Sequence, residues 1–271
     1  TGYKKINSAN LPDPTILLPN QHINTDLYTG NSSNGHAITG VGFQPDWTWI
    51  KARSDTRTHS LLDAVRGAGK ILSSNNTNAE YTDATAFASF DSDGFTVGTS
   101  ENYINNSSHT YVGWNWNAGD TDGKTYTVKV VDDSGNKYRF DDFGTSAVTL
   151  DLAEGGTYVF DQSDSSNATH PLRFYTAADK SGGEYTTGVT TSGTAGSSGA
   201  KTTIVVAASA PTLYYQCSAH AGMGGQINTN STLGSSNFDG DIKSTVKVNA
   251  SAGFSIVSFA DDYAGGSGVA Y

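Results

Sequence analysis

Cys217, His220 and Met223 follow one another at intervals of three in the segment Tyr214-Tyr215-Gln216-Cys217-Ser218-Ala219-His220-Ala221-Gly222-Met223. The chain has 271 residues, with a single Cys and a single Met, and both lie here. A thiolate, an imidazole and a thioether on one short loop form the soft donor set that copper prefers. A second imidazole stands upstream at His170, beside Pro171. Two imidazoles and a thiolate in a plane, with a weak axial thioether, hold copper in a trigonal site. The C-x2-H-x2-M spacing lets one turn carry three donors, and the fourth, His170, has to arrive from another strand. Zinc is the poorer candidate, because a thioether is a weak ligand for it. Without a metal, Cys217 would be a small buried hydrophobe and Met223 a core filler.

The elements that must position these residues read as strands. With 31 Gly, 14 Tyr and 11 Phe, the composition favours strands joined by many turns. Apolar and polar residues alternate over residues 42–53, placing Trp47 and Trp49 on one face, and over 109–117, doing the same for Trp114 and Trp116. Residues 87–98 predict two strands around an Asp-Gly turn. Residues 60–67 fit a helical turn or a bent strand equally. Beyond Gly119, strands are expected over 125–131, 138–140, 148–152, 157–160, 202–207 and 212–216, the last leading into the sulfur loop. Residues 181–200, rich in Gly, Ser and Thr, predict a long surface loop. Alternation resumes over 242–248 and 253–259.

The net charge of −10 and a pI of about 4.8 argue against nucleic-acid binding and against docking on anionic membranes. No apolar run approaches the ~20 residues of a membrane span. A single Cys excludes an internal disulfide. The start, Thr1-Gly2-Tyr3-Lys4-Lys5, has no apolar segment and no initiator Met, which predicts a processed N-terminus or a fragment. No nucleophile elbow, H-E-x-x-H, P-loop or dinucleotide glycine pattern is present, so the chain is expected not to be an enzyme. Asp91-Ser92-Asp93-Gly94 and Asp120-Thr121-Asp122-Gly123 resemble pieces of calcium loops but lack the downstream Glu, and they read as turns. His22, His36, His59 and His109 read as surface or turn residues.

Residues from about 124 to 228 resemble a cupredoxin domain of the amicyanin and plastocyanin kind, through the two Tyr before Cys217 and then His220 and Met223. The resemblance implies a Greek-key β-sandwich with a type 1 copper near one end. His170, Cys217 and His220 would be its in-plane ligands and Met223 its long axial one. Ala219 stands where such proteins often have Pro, and Pro171 where Asn often follows the first His. These departures bear on rigidity and potential more than on ligation.

The segments Gly40–Trp47, Ser89–Gly98, Val112–Trp116 and Ala252–Ser258 are similar to lectin-like jelly-roll modules in structural proteins of marine tailed phages of the cyanophage type. The expected architecture is all-β: a jelly-roll β-sandwich carrying an inserted cupredoxin-like β-sandwich. An extended arm is expected over 1–20, the jelly-roll over 21–118 and 236–271, and the insert over 119–235. The tail, residues 236–271, is also a place where a further repeat could begin. The resemblance implies a virion structural protein, such as an appendage, fibre or decoration protein, assembling with copies of itself and other virion proteins. The alternatives are an electron-transfer copper protein and a host-recognition protein binding surface glycan. For the last, Trp47, Trp49, Trp114 and Trp116 are the candidate stacking residues.

Overall fold

The chain is all-β. The computed structural model describes residues 18–99, 104–119, 123–230 and 234–260. Among them the only helical segments are single 3-10 turns at Pro19–Gln21 and Ser165–Asn167. No helix among the described residues is long and apolar enough to cross a membrane. The strands gather into two compact units. The first holds residues 18–62, 68–118 and 249–254, and the second holds 63–67, 119–248 and the stretch from 255.

In the first part of the chain the strands are β1 (Ile23–Thr29), β2 (His36–Thr39), β3 (Trp47–Ala52), β4 (Ser60–Asp63), β5 (Lys70–Ile71), β6 (Tyr81–Thr82), β7 (Phe87–Asp91), β8 (Gly94–Val97) and β9 (Thr110–Trp116). They form sheets of order β1-β9-β3-β4 and β2-β8-β7, with β5-β6 as a small pair. Ile50, Ala52, Leu62 and Tyr111 from the first sheet share one buried core with Ile38, Phe87, Phe95 and Val97 from the second. Alternation is most legible in β3, where buried and half-buried residues alternate along the strand. Residues 60–67 resolve into β4 followed by a turn. The expected hairpin is β7–β8, closed by Asp91↔Gly94. The Asp93 carboxylate accepts from the Gly42 and Gly40 amides at 2.7 and 3.1 Å, so it braces a neighbouring loop.

The strands that follow are β10 (Gly123–Asp132), β11 (Asn136–Phe140), β12 (Leu150–Ala153), β13 (Thr157–Asp161), β14 (Leu172–Tyr175), β15 (Val189–Ser192), β16 (Lys201–Val205), β17 (Leu213–Cys217), β18 (Gln226–Asn230), β19 (Ser235–Asn237), β20 (Ser244–Asn249) and β21 (Phe254–Phe259). One sheet runs β11-β10-β13-β16-β15 and a second β12-β18-β17-β14, each with one parallel pair, β10–β13 and β12–β18. Tyr126, Tyr138, Phe140, Tyr158 and Phe160 of the first sheet pack with Leu150, Leu172, Phe174, Tyr215 and Cys217 of the second in a single core. A strand, β15, crosses the stretch expected to be only loop. It is an edge strand whose side chains are mostly exposed, so it carries no alternation to read.

The expected boundary after residue 235 is placed differently. Residues 236–248 group with the second unit rather than completing the first, and only 249–254 group with the first. Phe238 packs 5.2 Å from Phe143 and 5.8 Å from Tyr126. Ser236 accepts the Tyr126 hydroxyl on its carbonyl and the Asp151 amide on its side chain, both at 2.8 Å. Ser235 bonds the Tyr158 hydroxyl at 2.8 Å. Ser235 and Ser236 are therefore buried, because their hydroxyls and carbonyls satisfy buried polar groups of that core. The expected arm lies outside the described residues up to position 17, as do Asp120–Asp122 and the tail from 261.

Candidate metal centre

Strand pairing brings the distant donors together. β14 and β17 are antiparallel with Leu172 opposite Cys217, so His170 and Pro171, just before β14, meet the chain leaving β17. The Ser218 amide donates to the Pro171 carbonyl at 2.9 Å and continues the ladder into the loop. Past Met223 the chain turns back against β17 so closely that a Cβ at Gly224 would collide with the Tyr215 carbonyl. Gly222 has φ of +71°, in the region glycine adopts freely.

Cys217 Sγ lies 3.4 Å from His220 Nδ1 and 3.8 Å from His170 Nδ1. The three donor atoms all lie within 4.8 Å of one another. A first-row ion bound at about 2.0–2.3 Å in the plane of three such donors holds them roughly 3.5–4 Å apart, so the triangle has the right size. The imidazole rings are 4.6 Å apart between centroids. Cys217 is fully buried, His170 is half-buried and His220 is exposed. Met223 is buried in the same cluster as Cys217. Burial, and then the neighbouring His220, push the His170 imidazole below its ordinary range, towards the neutral form that ligates a metal.

The groups that orient His170 are polar residues to which the sequence drew no attention. Gln162, 2% exposed, accepts the Leu172 amide at 3.0 Å and donates to the His170 carbonyl at 2.9 Å. Tyr138 OH donates to the same carbonyl at 2.8 Å, and the Tyr138 amide donates to the Met223 carbonyl at 2.8 Å. Burial, and then the proximity of Cys217, drive the Tyr138 phenol well above its usual range, so it stays a donor. Asn167, fully buried, donates to the Val128 carbonyl at 2.7 Å and accepts the His170 amide on its own carbonyl at 2.8 Å. Asn136 Nδ2 lies 3.4 Å from His170 Nε2, so the side-chain amide meets the ring nitrogen that does not face Cys217. Apart from Asn167, three positions before His170, these partners lie eight to thirty-four positions away, beyond the local spacing that the sequence shows.

The four tryptophans also come together, in the first unit. Trp47 pairs with Trp116 and Trp49 with Trp114 in the β3–β9 register. Their centroids are 4.4 and 5.6 Å apart, Trp47 and Trp49 are 6.1 Å apart, and Phe254 lies 6.2 Å from Trp116. All four indoles are half-buried. The four scattered histidines are tied in rather than free. His36 meets Asn105 at 2.9 Å, His59 accepts Trp49 Nε1–H at 2.8 Å, His109 meets Asp55 at 2.6 Å and His22 meets Asn249 at 3.1 Å.

The family described as "Domain of unknown function (DUF7483)" matches residues 18–153, half of the chain. The chain belongs to this family. The DUF7483 match crosses the Ala118/Gly119 boundary and takes in β10 to β12, so the opening strands of the second unit are part of the common sequence. It ends before all four candidate ligands. No curated protein and no solved structure matches the chain.

Proposed function

We propose that this chain is a non-enzymatic virion structural protein of a tailed phage whose second unit binds one copper ion, which His170, Cys217, His220 and Met223 would hold. The single observation that carries the copper reading is the Cys217 Sγ, His170 Nδ1 and His220 Nδ1 triangle, with all donors within 4.8 Å. Copper bound there would supply a one-electron couple and a tie between the start of β14 and the end of β17. Gln162, Tyr138 and Asn167 fix the His170 backbone, the β14–β17 ladder fixes Cys217, and burial keeps water from the thiolate.

The virion part rests on the resemblance of the first-unit segments to phage modules. Assembly is supported by β1, an edge strand that exposes Ile23 at 42% and Leu27 at 64%. Such an edge suits copies of this chain or other virion proteins.

Electron transfer is the second reading, favoured by the exposure of His220 among exposed Ala219, Ala221 and Gly222. A partner docking on that small apolar rim would meet a ligand directly. Glycan recognition has less support, because the indole faces of Trp47 and Trp116 are partly covered by each other.

Stoichiometric addition of Cu(II) to the purified chain tests the copper reading. An intense absorption at about 600 nm, absent in Cys217→Ser, is expected of a thiolate–copper site. No such band at one equivalent removes the reading.

A further inference from the structure

Lys180 lies on the loop after β14 and is not a ligand, yet its ammonium reaches into the ligand loop. Nζ donates to the carbonyls of Cys217 at 3.1 Å, His220 at 3.3 Å and Ser218 at 3.4 Å. Three carbonyl oxygens of one tight turn point to the same place and repel one another, and an ammonium with three donors matches them. The same Nζ stands 5.9 Å from the centre of the Tyr175 ring, on the strand next to β17. On the other side of the loop, Lys137 Nζ donates to the Gly222 carbonyl.

We infer that Lys180 is a positioning residue of the metal centre: it clamps the Cys217–His220 turn so that thiolate and imidazole face each other, and its fixed charge biases a bound copper towards Cu(I). The inference rests on the copper reading above. A positive charge just outside a ligand shell disfavours the more positive Cu(II) state. Because Lys180 is only half-buried and solvent screens it, one such charge shifts the equilibrium by about tenfold, which for one electron is about 59 mV.

The test compares Lys180→Met, Lys180→Gln and Lys180→Arg with the wild-type chain. Copper-loaded protein is titrated with the ferrocyanide/ferricyanide couple, which passes one electron to or from the copper, and amide exchange at residues 218–221 is followed in metal-free protein. Lys180→Met should lower the Cu(I) preference about tenfold and speed exchange in the turn. Lys180→Gln, which keeps donors without charge, should lower the preference and leave exchange closer to wild type. Lys180→Arg should restore the preference. A copper-binding wild type whose Met and Gln variants keep its potential and exchange rates overturns the role of Lys180 alone. A wild type that takes up no copper overturns the copper reading and the charge effect with it, while unchanged exchange in the metal-free variants separately overturns the clamp.

Discussion

The tryptophan ladder of the first unit and the thiol–imidazole corner of the second are both clusters of residues that stand out in the sequence, and they are held together in opposite ways. The indoles sit on two paired strands at facing positions, Trp47↔Trp116 and Trp49↔Trp114, so the sheet register alone brings them into contact. Ring against ring is attractive, and the cluster is complete without anything else. The corner gathers Cys217 Sγ and two imidazole nitrogens from up to 47 positions apart, at 3.4 and 3.8 Å, where a thiol S–H or a ring N–H can also bridge them. Acceptors facing acceptors require a proton or a cation between them. An aromatic cluster thus accounts for itself, whereas the converged donors are held either by their own protons or by the copper proposed above.

The sharpest way to separate the two is to remove the sulfur. Cys217→Ser should weaken Cu(II) binding about a thousandfold, roughly 4 kcal/mol, by equilibrium competition with a chelator. It should also abolish the copper-induced stabilisation of the second unit, about 2.7 kcal/mol at one hundred times Kd. The reverse experiment is Trp47→Ala. It should destabilise the first unit by about 3 kcal/mol in denaturant unfolding, as for other large aromatic truncations, and leave copper affinity unchanged. Equal copper loss in both variants would break the distinction between the two clusters.

Gln162→Leu probes the scaffold of the corner without touching a ligand. It leaves the Leu172 amide and the His170 carbonyl each short of a partner, and copper affinity should fall about 10- to 100-fold in the same competition assay.

The smallest effect concerns Asp151, which ties β12 to its neighbours. It accepts from Asn228 at 2.8 Å and from Lys243 and Thr245 at 3.0 Å. Burial raises its pKa, but these donors outweigh it and hold the carboxyl below its ordinary value. Its folded pKa being depressed, its contribution is present above the unfolded value of about 3.9 and is lost as pH falls through the folded value. Asp151→Asn should cost about 1 kcal/mol near pH 7. The gap to wild type should close below about pH 4, as read by thermal unfolding. A gap that persists at lower pH would mean the loss is one of packing.

What the sequence made legible was local. Cys217, His220 and Met223 share one short segment, and alternation marked β3, β9 and β21. The β7–β8 and β10–β11 hairpins announced themselves by their Asp-Gly and Ser-Gly turns. What escaped depends on partners far along the chain. Gln162 and Lys180 are ordinary polar residues until β14 brings them to the corner, and β14 itself has four residues, too few for a pattern. Ser235 and Ser236 carry no sequence signal of burial, because a serine hydroxyl bonded inside a core and one in water are the same residue type. The family match, residues 18–153, stops short of the ligands, so the donor geometry alone bears on copper.

The most direct test is X-ray absorption at the copper edge of the chain loaded with one equivalent of Cu(II). A thiolate–imidazole site predicts one sulfur at short distance, two imidazole nitrogens and at most a weak second sulfur, with the short sulfur lost in Cys217→Ser. A spectrum fitted by nitrogen and oxygen alone in the wild-type chain would contradict it.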